Sequence, residues 1–229
     1  GPKIYHREGF GEDFDRILSC YIESGIPLMT ALGNSTYRDA EKAKGNAVPF
    51  LGHAVMCVGH ENVEEPAIRK LTEKAMLLND CGVSWIDDIE KKFVLIDDNL
   101  SPYQLDSLSE PAGRYQDEKW GKCEIEHFVA PLYNKINIEP YVVKQYAKEL
   151  VASGFFAELH GRPVVSRTLL CSTRSFRDYV KRGDMTQEMK RFLLGLFLPK
   201  FVWIVELSDI RLMCSGKASG LIVVDATES

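Results

Sequence analysis

Three short apolar runs constrain the fold of this chain most: IPLMTAL at 26–32, GHAVMCVG at 52–59 and KFVLID at 92–97. Each has the length of a β-strand and is bounded by glycine or by Asp/Asn turn residues. A histidine opens the second run and an aspartate closes the third. Along an extended strand His53, Val55 and Cys57 point one way, while Ala54, Met56 and Val58 point the other. Antiparallel pairing of the second and third runs brings the start of one to the end of the other. It places His53 within reach of Asp97 or Asp98. A carboxylate bonded to one imidazole nitrogen fixes the tautomer and stabilises the imidazolium, and the other nitrogen is left to accept a proton.

Around these runs the spacing predicts a helix over 12–24, with Phe14, Ile17, Leu18, Tyr21 and Ile22 on one face, closed by Gly25. Residues 33–49 read as a loop or a short charged helix. Residues 64–79 have some helical periodicity, and 107–122 form a polar excursion. A second helix starts at Pro140, with Tyr141, Val142, Tyr146 and Leu150 on one side, and ends at Gly154. Val164–Ser172, Phe201–Leu207 and Gly220–Asp225 read as strands, with helices over 174–181 and 186–197. The fold class expected is α+β with a central antiparallel sheet. A weak boundary near 138 divides a first part, 1–138, from a C-terminal α+β subdomain, 139–229. The apolar run FVWIVEL would bury Glu206, which then needs a cationic partner; Arg167, Arg174 and Arg211 are candidates.

The order G-I-P-L, then G-H-A-V-x-x-V-G, then V-x-I-D resembles the second half of papain-like cysteine peptidases. It is most similar to the bacterial peptidases that process double-glycine leader peptides, and to their peptidase-like relatives. The resemblance covers roughly residues 12–103 and does not extend to residues 139–229. It implies a papain-like half-fold, with His53 as general base and Asp97 or Asp98 as its orienting carboxylate. It also implies a nucleophilic cysteine opening a helix ahead of the G-x-P strand, with a glutamine just before it. There the sequence departs from the pattern. The only cysteine before Gly25 is Cys20, in the last turn of the expected helix, where the helix dipole opposes a thiolate. The first glutamine is Gln104. Two expectations follow. One is a cysteine peptidase-like hydrolase acting on peptide or amide bonds, its nucleophile supplied upstream, since a chain opening Gly1-Pro2 suggests a processed start. The other is a non-catalytic protein-interaction module that keeps the peptidase fold. Cys20 is the weak nucleophile candidate within the chain, and Cys81 the other exposed thiol expected.

Composition narrows the alternatives. The net charge of −5 leaves no basic surplus for phosphates, and no P-loop or G-x-G-x-x-G occurs, so nucleic acid is not an expected partner. The longest apolar run, 192–204, is broken by Gly195, Pro199 and Lys200, so no membrane span is expected. Six scattered cysteines without a C-x-x-C pair predict reduced thiols, a cytoplasmic location and no zinc site. Asp97-Asp98-Asn99 lacks the alternating oxygen ligands of a calcium loop. No metal or cofactor is expected, and a peptide or protein is the expected partner. His60, at the end of the second run, reads as a surface histidine, and Phe155, Phe156, Phe192 and Phe197 as core.

Overall fold

The computed structural model of the chain describes residues 1–77, 82–115, 117–155 and 163–228. It is a mixed α/β structure with ten strands and eight α-helices among those residues, and its larger sheet is antiparallel throughout. Contacts divide it into two units. The first comprises Gly1–Val63 and Ile89–Leu132, the second Glu64–Asp88 and Tyr133–Ser229. The break thus falls six residues before the expected 138, and 64–88 is grouped with the C-terminal part. Cys81 and Phe156 lie outside the described residues.

The first unit is a six-stranded sheet. Its strands are β1 (Lys3–His6), β2 (Leu28–Gly33), β3 (Gly52–His60), β5 (Lys92–Ile96), β6 (Tyr103–Ser107) and β7 (Glu124–Ala130), in the order β1-β7-β2-β3-β5-β6. The helix α2 (Asp13–Glu23) supplies the core of one face with Phe14, Ile17, Leu18, Tyr21 and Ile22. Their i, i+3, i+4, i+7, i+8 spacing makes one apolar stripe. Gly25, at φ 73°, ends the helix: its N–H bonds to the carbonyl of Ile22 and that of Ile26 to Tyr21, the paired closure that a left-handed residue permits. Facing α2 are Leu28, Leu32, Val55, Phe93, Leu95, Ile125 and Phe128, all buried. Residues 35–43 form the short charged helix α3.

The second unit has the sheet β10-β9-β8-β4, made of β4 (Val83–Trp85), β8 (Val164–Ser172), β9 (Phe201–Ser208) and β10 (Gly220–Asp225). β4 pairs with β8 in parallel, and the other neighbours are antiparallel. Every residue of β9 is buried. Phe176, Val180 and Leu193, from α6 (Thr173–Arg182) and α7 (Gln187–Gly195), pack with Val202 and Ile204. Arg167 and Glu206 are register partners, and the guanidinium of Arg167 donates to Glu206 Oε2 from Nε (2.8 Å) and Nη2 (2.6 Å). Of the three candidate partners for Glu206, this is the one the sheet supplies. The helix α5 (Pro140–Ala152) turns its other side inward from the stripe legible in sequence. Pro140, Val143 and Ala147 are buried, while Tyr141, Tyr146 and Leu150 are exposed. Phe155, Phe192 and Phe197 are also exposed and so are not core. Among the described residues no helix is long and apolar enough to cross a membrane.

Candidate functional site

β3 lies between β2 and β5, antiparallel to both. Leu32 is the register partner of His53, and Met56 that of Ile96, so β3 begins where β5 ends. His53 and Asp97 emerge there on the face that carries α2. His53 Nε2 and Asp97 Oδ1 are 2.9 Å apart, with side-chain exposures of 15% and 5%. The aspartate accepts more than this bond: the amide of Asn99 donates to Oδ1 (2.9 Å) and the hydroxyl of Tyr115 to Oδ2 (2.8 Å). Burial pushes the Asp97 carboxyl up, but the Asn99 amide, the Tyr115 hydroxyl and His53 outweigh it, and the group sits below its ordinary value. The Tyr115 hydroxyl is pushed up to about 12, first by burial and then by its bond to Asp97.

The structure separates the two adjacent aspartates. Asp97 is buried and triply bonded. Asp98, whose Oδ1 lies 3.3 Å from His53 Nε2, is 86% exposed. Asn99 adds its side-chain amide, 3.3 Å from Nε2 and 3.5 Å from Nδ1. Trp120 meets the His53 ring edge-on, with centroids 6.3 Å apart, and stacks on Tyr115 at 4.6 Å. Both aromatics come from the polar excursion, where their neighbours gave no apolar period to find them by. Gly52 leaves room for the ring of Phe50: a Cβ there would lie 2.8 Å from that ring.

The described thiols are not gathered at this couple. Cys20 is fully buried in the last turn of α2, and three residues on Glu23 bonds to His60, at the opposite end of β3 from His53. Cys57 shares the His53 face but lies four residues along, roughly 13 Å in an extended strand, and burial pushes its thiol up to about 12. Cys123 lies at the His53 end of the sheet, its N–H bonded to the carbonyl of Trp120 (2.9 Å). Burial, then the charge of Glu126, raises its pKa, which disfavours the thiolate.

His60 is a correction to the sequence reading. It is not a free surface histidine: Nε2 meets Glu23 Oε2 at 2.5 Å and Nδ1 meets the Glu61 carbonyl at 2.6 Å. The Glu23 bond raises its pKa against the opposing effect of burial.

His53, Asp97 and Asp98 are the described residues that could hold a metal, with ligand atoms within 4.8 Å of one another. An ion would have to take the nitrogen that faces Asp97 and compete with Asn99 and Tyr115 for its oxygens. The arrangement therefore suits proton handling: Asp97 holds Nε2–H, so the neutral ring carries its lone pair on Nδ1. Comparisons of the chain with models of protein families, with characterised proteins and with solved structures match none of them.

Proposed function

We infer that the first unit is a papain-like cysteine peptidase-like domain in which His53 and Asp97 form the acid–base half of the site. The observation that carries this reading is the 2.9 Å bond between His53 Nε2 and Asp97 Oδ1, made between adjacent antiparallel strands. It orients the ring and presents Nδ1 as the base. The reaction it suits is hydrolysis of a peptide or amide bond, or acyl transfer, through a thioester. The thiol gives its proton to Nδ1 and attacks the carbonyl carbon. The imidazolium then returns the proton to the leaving amine, and water, deprotonated by the same nitrogen, releases the acid. The thiol has to be presented to Nδ1 by a segment other than those carrying Cys20 and Cys57.

A second reading is favoured by the burial of Cys20, Cys57 and Cys123. On it, the fold is a protein-binding module and His53–Asp97 a structural remnant. The two separate in one experiment on the whole protein. Hydrolysis of a fluorogenic peptide, with labelling of one cysteine by a thiol-directed electrophile, supports the enzyme. His53→Ala should then cost about 10²–10⁴ in rate, the range for a general base. No turnover and no preferential labelling supports the module.

A further inference from the structure

The face of the six-stranded sheet opposite α2 carries an unbroken apolar row. Register partners run Ile4↔Val129, Val129↔Met29, Met29↔Met56, Met56↔Ile96 and Ile96↔Tyr103, so one apolar side chain from every strand falls on a single line across the sheet. Ile4 is 58% exposed, Met29 50% and Tyr103 69%, and the other three are half-buried. A solvated face of an antiparallel sheet ordinarily alternates to polar residues, and an apolar face of this extent marks a contact surface. On one side of the row Ala31 pairs with Ala54 and, across β7 and β1, with His127 and then His6; on the other side Val94 pairs with Leu105. The outward charges Lys92 and Glu124 stand at strand ends, and the carboxylate of Glu126 lies over Gly33, so none of them falls in the row.

We propose that this face is the interface of a homodimer, in which the sheets of two copies stack face to face. Three features select a second copy as the occupant. The row crosses all six strands of the sheet, so the partner that covers it is broad rather than a single strand or helix. Six strands at ~4.8 Å spacing and five to seven residues at ~3.3 Å give a footprint of roughly 25 by 20 Å in projection. With side-chain relief this approaches the ~800 Å² per partner of a stable interface. Finally, the midpoint of the row lies between Met29 and Met56, on the central strand pair β2–β3, so a two-fold operation sets that pair against its own copy. Stacked sheets about 10 Å apart, with strands crossing at about 30°, interdigitate such side chains. Methionine suits this position because its unbranched thioether adapts to an irregular gap.

The test is sedimentation velocity of the whole chain between about 1 and 100 µM. A reversible dimer is expected, and Met29→Glu should weaken its dissociation constant at least tenfold. So should Tyr103→Lys, at the far end of the row, which guards against a local effect of the first change. Both positions are exposed in the single chain, so the variants should keep the wild-type circular dichroism and melting temperature. A chain that stays monomeric throughout this range overturns the proposal, as does a dimer whose dissociation constant neither folded variant alters.

Discussion

Tyr115 donates its hydroxyl proton to the one carboxylate oxygen of Asp97 that His53 does not use. The carboxylate is thereby held from both sides, and rotation about its terminal torsion, which would release the histidine, breaks the tyrosine bond as well. Tyr115→Phe and Asp97→Asn should each lower stability by about 1.5–3 kcal/mol, the range for hydrogen bonds to a charged group, with Asp97→Asn the larger because it disturbs three bonds rather than one. Urea unfolding at neutral pH measures both.

Acid should erase the second difference. The Asp97 carboxyl has a folded pKa below its ordinary 3.8, so its contribution is fully present above that value. It is lost as pH falls through the lower folded value. The stability gap between wild type and Asp97→Asn should therefore be constant from neutrality to about pH 4 and close below it. A gap that persists unchanged into strong acid would show that the carboxylate is not the cause.

The His60–Glu23 pair has the opposite sign. The histidine's folded pKa lies above its ordinary 6.5, so the pair contributes fully below that pH and loses its contribution as pH rises through the folded value. Replacing Glu23 by Gln should cost about 1–3 kcal/mol in mild acid and progressively less in alkali. Chemical denaturation on both sides of neutrality reads the difference.

Glu206 sits 7% exposed against Arg167, which is 32% exposed. Removing one member leaves the other charge buried without its partner. The usual 3–5 kcal/mol for a fully buried pair is reduced here because water reaches the arginine, so Arg167→Ala should cost about 2 kcal/mol. The same denaturation midpoint checks it.

Alkylation should sort the thiols by exposure. Cys214 is exposed, Cys20, Cys57 and Cys123 are buried, and Cys171 is pushed up to about 11 by burial. Iodoacetamide at neutral pH should label Cys214 first and the half-buried Cys171 more slowly, while Cys20, Cys57 and Cys123 should react on the timescale of unfolding. Peptide mapping by mass spectrometry distinguishes them, and rapid labelling of Cys57 in the folded chain would contradict its burial.

The His53–Asp97 contact was legible because both ends of it are strand ends. A period of two fixes the face of His53, and antiparallel order fixes which end of β5 it meets. The choice between Asp97 and Asp98 was not legible, since adjacent residues point to opposite faces and the final register decides which is buried. Tyr115 and Trp120 were hidden for a different reason: an excursion returns to the sheet through tertiary contacts that no local period encodes. His60 was misread because its partner, Glu23, is 37 residues away in sequence and is set by where α2 ends. The stripe of α5 misled because tyrosines can sit at a surface as readily as in a core, while the small Val143 and Ala147 allow the close approach to β9.

The pairing of β4 with β8 means that the order of synthesis and the order of assembly differ in this chain. Val83 must wait for Val164 before it has a neighbour, and the whole of 89–132 is built into the other unit in between. A nascent chain released at Leu132 would carry 64–88 with no sheet to join. Neither unit can be excised as one continuous stretch, and a cut at their junction strands the smaller sheet's edge on the wrong fragment.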